Sequence, residues 1–175
     1  MDSVENSAPS TTPAVVAMYA GYAAGAIGIG LAFAESDAVD ALKPLTLLTV
    51  GVLGVLSFVR HAVFHRSDAV RMGWDLGEPN NFQIEVGFAN LAWGLLAFAA
   101  VGWHWGVSAE ATVSLVFALY LLAACILHVV TITGGSEQRS RAAAWGPALA
   151  TLALAGLIGW FSLAALSAAH IRPFG

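Results

Sequence analysis

A few side chains in this sequence have the types and spacing needed to hold a ligand. His61 and His65 are four residues apart. A helix would stack both imidazoles on one face, as two nitrogens must be to share one metal ion. Asp68 follows about one turn later and could add an oxygen. Two residues distant in sequence fall at the same expected depth, His128 near the end of one apolar block and Glu85 near the start of another. The expected metal set is therefore His61, His65, Asp68 and His128. The expected cofactor-binding set is His61, His65, Glu85 and His128. Nitrogen and oxygen donors of this kind suit zinc, iron or copper. They would equally suit a haem, a quinone headgroup or a proton relay, so the residue types alone assign no catalytic residue and no particular cofactor.

The same segment also reads as a polar brace. Between residues 60 and 90 the chain carries Arg60, Arg66 and Arg71 against Asp68, Asp75, Glu78 and Glu85. The arginines suit anchors whose apolar stems lie in the membrane while the guanidinium groups reach anionic headgroups. Arg60 is expected to pair with Glu85, and Arg71 with Asp68 or Asp75. Asn80 or Asn81 can cap the helix that follows, with Gln83 or Glu85 in its first turn. Asn90 lies in or near the membrane, where a polar side chain needs a partner, and is expected to bond across helices. The expected structural network is Arg60, Arg66, Asp68, Arg71, Asp75, Asn81, Glu85 and Asn90. Two histidines at helical spacing are common by chance, so this structural reading is preferred.

The elements that must position these residues are membrane spans. Charged residues make up 10% of the 175 and hydrophobic ones 58%, against about 25% charged in soluble domains. The mean hydropathy is +0.76, and the apolar residues fall in long blocks. A block of about 20 residues crosses the hydrocarbon layer. Five such spans are expected, at about 14–34, 45–65, 82–101, 111–133 and 145–169. A disordered tail (1–13) precedes them and a short tail (170–175) follows. The acidic stretch from Glu35 to Lys43 reads as a loop, with Pro44 opening the second helix. That helix has no breaker until Gly73, so it should leave the membrane and run on as a polar extension. At about 100° per residue, His61, His65, Asp68 and Met72 would share an arc of about 60°.

Ala32-Phe33-Ala34 resembles a signal cleavage site, and cleavage would leave four spans. The block is longer than a usual signal core and lacks a basic flank, so it is kept as a span. Ala17, Gly21 and Gly25, with Gly28 nearby, follow the small-xxx-small spacing that lets helices approach closely. It serves packing within the chain or self-association. Gly134-Gly135-Ser136 should stop the fourth span, and Pro147 suits the start of the fifth.

Several function classes are excluded. The net charge of −4 and the scattered Lys and Arg residues give no nucleic-acid surface. Cys125 is the only cysteine, which excludes an internal disulfide and a cysteine-based zinc site. Arg60, Arg66 and Arg71, with Arg139 and Arg141, lie on one side of the expected spans, and Lys43 and Arg172 on the other. This bias places the N-terminus and the polar connection in the cytoplasm and the C-terminus outside. The outer side also carries Trp103-His104-Trp105, an expected interfacial aromatic belt.

The run RHAVFHRSDAVRMGWD followed by NNFQIEVGFANLAWG, roughly Arg60 to Gly94, resembles an uncharacterised family of small bacterial multi-pass membrane proteins. The resemblance implies a membrane protein with a polar connection and carries no activity.

The sequence thus predicts an all-α, polytopic inner-membrane bundle with its second helix extended into the cytoplasm. Its surroundings are the lipid bilayer, with a homo-oligomer or membrane-protein partner as the expected association. The preferred function is a non-enzymatic membrane component whose polar segment, residues 60–81, braces the bundle or docks a partner. The alternatives are a small redox or ligand-binding protein using the His/Glu cluster, and a solute or proton transporter.

Overall fold

The computed structural model describes residues 8–73, 75, 77–134 and 141–170, with side chains of the last stretch described from 145. Trp74, Arg139, Arg172, Gly135, Ser136 and the Arg141 side chain, which entered the sequence reading, lie outside those described, as do residues 1–7 and 171–175. Among the described residues six helices form: α1 (Thr12–Ala34), α2 (Ala38–Val63), α3 (His65–Met72), α4 (Asn81–Gly102), α5 (Val107–Thr133) and α6 (Arg141–Ala168). Among the described residues there is no strand. Five helices are long and apolar enough to cross a membrane, with α3 the polar exception. The chain is an all-α, multi-pass membrane bundle.

Local chemistry moves two of the expected boundaries. The 35–43 stretch is not all loop. Asp37 accepts the amides of Val39 (2.7 Å) and Asp40 (3.4 Å) as an N-cap, so α2 starts at Ala38 and Pro44 lies inside it. Proline offers no N–H and crowds the carbonyl four residues back. Directly after it the helix widens into π turns over Leu45–Val52. At α5 the left-handed Gly106 (φ 91°) ends the preceding turn and lets the helix begin at Val107 rather than Ala111.

Close backbone approaches hold the bundle. On α1, Ala17, Gly21, Gly25 and Gly28 are all buried. A Cβ on Gly28 would lie 2.4 Å from Thr49 Oγ1, and the Thr49 hydroxyl donates to the Gly25 carbonyl at 3.1 Å. This stripe therefore packs against α2 within the chain. A second glycine seam joins α2 to α4. A Cβ on Gly54 would lie 2.8 Å from the Asn90 carbonyl oxygen, one on Gly94 2.8 Å from that of Gly51, and one on Gly87 2.7 Å from Ala62 Cβ. An apolar core around Leu42, Leu45, Phe117, Ile158, Phe161 and Leu166 fills the bundle nearer the Lys43 end of α2. Towards the other end of α2, polar groups take over.

Candidate functional site

The candidate site lies where α2 leaves the span and α3 begins. A second π stretch, Val59–Val63, ends at Phe64, whose amide bonds the Val59 carbonyl at 2.9 Å before the chain turns into α3. The helix does continue towards Met72, as the absence of breakers predicts, and Gly73 closes it in the left-handed conformation (φ 79°). Each π turn takes an extra residue, so the face expected from 100° per residue is not kept. His61 stays with Asp68. His65 turns away, its Nδ1 donating to the Ala62 carbonyl at 3.0 Å.

Asp68 is the junction. Its side chain is 1% exposed, and a buried carboxylate so placed must be paired. The Arg71 Nε and a terminal guanidinium nitrogen each lie 2.8 Å from Oδ1. Gln83 Nε2, from α4, donates to Oδ2 at 3.0 Å. His61 Nδ1 is 3.0 Å from Oδ2 and Arg60 Nε is 3.6 Å away. Arg60 Nε lies beyond hydrogen-bond distance and acts through its charge, while the His61 ring sits directly against the carboxylate. An Arg60 terminal nitrogen also donates to His61 Nε2. Arginine can only donate, so in the neutral ring the proton sits on Nδ1, facing Asp68. Burial would raise the pKa of Asp68, but His61, Arg60 and Arg71 outweigh it and hold the carboxyl down at about 2.

The junction reaches one helix further. Ser67, beside Asp68, is buried, and its hydroxyl accepts the Ala14 amide at 3.3 Å. Thr11 makes no side-chain cap, so Ser67 satisfies one orphan donor of the first turn of α1. Groups from α1, α2, α3 and α4 thus meet within two residues of chain.

A second pairing anchors the turn. Arg66 donates to Asp75 at 3.2 Å, and Asp75 also accepts the Gly77 amide at 3.3 Å. The Arg66 bond chiefly holds the Asp75 carboxyl below its usual range, against desolvation, with Gly77 helping. Asn80 is the cap of α4, accepting the Gln83 amide at 3.2 Å. Asn81 is exposed as the first helical residue. Between α3 and this turn lies a cavity of 270 Å³ lined by His65, Arg66, Glu78, Asn80 and Asn81 among others. Deeper in the span, Asn90 is buried and donates to the Tyr120 hydroxyl on α5 at 3.0 Å and to the Val86 carbonyl at 2.8 Å.

The expected ligand sets do not assemble. His61 belongs to the Asp68 junction, His65 faces the cavity, Glu85 is exposed on α4, and His128 is half-buried near the end of α5. Among the described residues no three His, Cys, Asp or Glu side chains stand close enough to share a metal ion. The cause is the π stretch together with the placing of α5, which packs mainly against α6. The Arg60–Glu85 pair is also corrected. Arg60 turns to Asp68, while Glu85 points away, and among the described residues no salt bridge includes it. Of the expected pairs, Arg71–Asp68 forms. Gln83, buried at 5% exposure, takes the position at Asp68 that Glu85 was expected to take at Arg60. Sequence pattern alone places Gln83 in the first turn of α4 and gives it no partner. Its signal was the Asn80 cap, which sets Gln83 at the inward edge of that turn.

The chain belongs to a family of unknown function, DUF6790, whose model matches residues 10–170 and so takes in all five spans. Neither a curated protein nor a solved structure matches it.

Proposed function

We propose that this member of DUF6790 is a non-enzymatic component of a bacterial plasma membrane, whose polar segment 60–81 locks the helices together and presents a docking face to the cytoplasm. The observation that carries this reading is the Asp68 junction, where every strong contact runs to another group of the chain. A carboxylate held by two guanidinium groups, an imidazole and an amide is built to stay ionised and in place. Catalytic carboxylates are tuned the other way, towards the working pH. The five basic residues on the side of this segment, against Lys43 and Arg172 on the other, support a cytoplasmic position for it and for the N-terminus. The docked partner is another membrane protein or a second copy of the chain, with no role for nucleic acid.

The test compares two groups of variants in whole membranes. Arg60→Gln and Asp68→Ala should lower the amount of protein accumulated several-fold, while Glu85→Gln, at an exposed position, leaves it near the parent level. Full accumulation of the Asp68 variant would defeat the brace. A topology reporter fused after Gly135 should behave as cytoplasmic, and a periplasmic signal would reverse the orientation.

A further inference from the structure

The cavity between α3 and the turn before α4 is not used by the brace, and its position marks what could enter it. The span of α2 ends at Val63 and that of α4 begins at Asn81. His65 and Asn81, which line the cavity, therefore sit where both helices leave the hydrocarbon, at headgroup level. Two nitrogens of lining residues are buried without a partner: His65 Nε2 and Arg66 Nε. A buried polar atom left empty is costly unless a ligand or water fills it. The Arg66 terminal nitrogen is held by Asp75, which fixes the guanidinium and leaves Nε as the free donor. His65 Nδ1 is held by Ala62, so its Nε2 donates only as the imidazolium, the form an anion favours. Glu78, also lining the cavity, is exposed and negative.

The charges decide the ligand class. A simple anion would meet Arg66 already paired with Asp75 and a carboxylate from Glu78. A headgroup carrying both phosphate and ammonium satisfies each group in turn. Exposed apolar side chains lie on the adjoining ends of α2 and α4: Val63 is 56% exposed, Phe82 69% and Phe88 56%, with the Phe58 and Phe88 rings 5.4 Å apart between the two helices. We propose that this cavity is a headgroup site for an aminophospholipid, its phosphate taken by Arg66 Nε and the His65 imidazolium, its ammonium by Glu78, and its acyl chains lying along Val63, Phe82 and Phe88. Ethanolamine is preferred to choline because a quaternary ammonium has no N–H to give Glu78.

The experiment uses the full chain, delipidated in detergent and titrated with matched dioleoyl lipids bearing ethanolamine, choline or glycerol headgroups, with bound lipid counted by native mass spectrometry. One ethanolamine lipid per chain should bind about tenfold more tightly than either other lipid, the size of one charge-assisted hydrogen bond. Glu78→Gln should bring ethanolamine and choline lipids level while the chain stays folded, since Glu78 is exposed. His65→Gln should weaken all three and keep their order. Equal binding of the three lipids, a preference for glycerol, or an unchanged preference in Glu78→Gln would overturn the site. Soluble glycerophosphoethanolamine competing at the lipid's own concentration would overturn the membrane source of the ligand.

Discussion

Gln83 Nε2 donates to Asp68 Oδ2 across 3.0 Å, joining the first turn of α4 to a carboxylate fifteen positions earlier in the chain. The bond ties α4 directly to α3. Gln83→Ala should cost about 1–3 kcal/mol, the range for losing a hydrogen bond to a charged buried group. Gln83→Glu should cost more at neutral pH, because it sets a second carboxylate against Asp68. Unfolding of the purified protein in detergent checks both, and a parent-like midpoint for Gln83→Glu would show that the two side chains do not meet.

The Asp68 carboxyl is held down at about 2, against 3.8 for an ordinary aspartate. A folded value below the unfolded one means the unfolded state binds the proton more readily. The stabilisation is thus fully present above about pH 4 and lost as pH falls towards 2. The difference corresponds to about 2 kcal/mol. Thermal midpoints across this window should fall in the parent protein, and Asp68→Asn should flatten that part of the profile. A parent curve that is level from pH 5 to pH 2 would remove the junction's electrostatic role.

Backbone contact between α2 and α4 makes glycine necessary at Gly54, where a Cβ would lie 2.8 Å from the Asn90 carbonyl oxygen and 3.0 Å from the Gly94 nitrogen. Backbone cannot swing aside as a side chain can. Gly54→Ala should therefore destabilise by about 1–3 kcal/mol. Gly30, also within a span, has open space around it, and Gly30→Ala should be neutral or slightly stabilising. Equal effects of the two substitutions would mean that helix propensity, not the crossing, sets the cost.

Asn90 and Tyr120 link α4 to α5 inside the membrane. A double-mutant cycle of Asn90→Ala and Tyr120→Phe should give a coupling of about 0.6 kcal/mol, the usual scale for such bonds in membranes. Tyr120→Phe keeps the ring stacked on Phe117, centroids 6.2 Å apart, so packing changes little. Strictly additive effects would show that the bond does not form in the bilayer.

The five spans, the capped turn at Asn80, the stop at Gly73 and the run of α2 past Arg60 were legible in the sequence. Each depends on local rules: hydrophobic length, side-chain capping of free amides, and the left-handed freedom of glycine. What a side chain touches across helices was not legible. The π stretches at Leu45–Val52 and Val59–Val63 change the angle per residue, and no local signal marks them beyond Pro44 in the first case. The second turns His65 away from His61 and so dissolves the expected ligand set. The pairing of Arg60 with Asp68 rather than Glu85, the entry of Gln83, and the capping of Ala14 by Ser67 were settled by helix crossings. The glycine seam set how close those crossings come. Sequence alone determined that a polar segment must lie at a membrane boundary, because its charges could not be buried in lipid. Only the tertiary structure decided that Arg60, His61 and Arg71 turn inward to Asp68, because a buried carboxylate takes whichever donors the packing brings within about 3 Å.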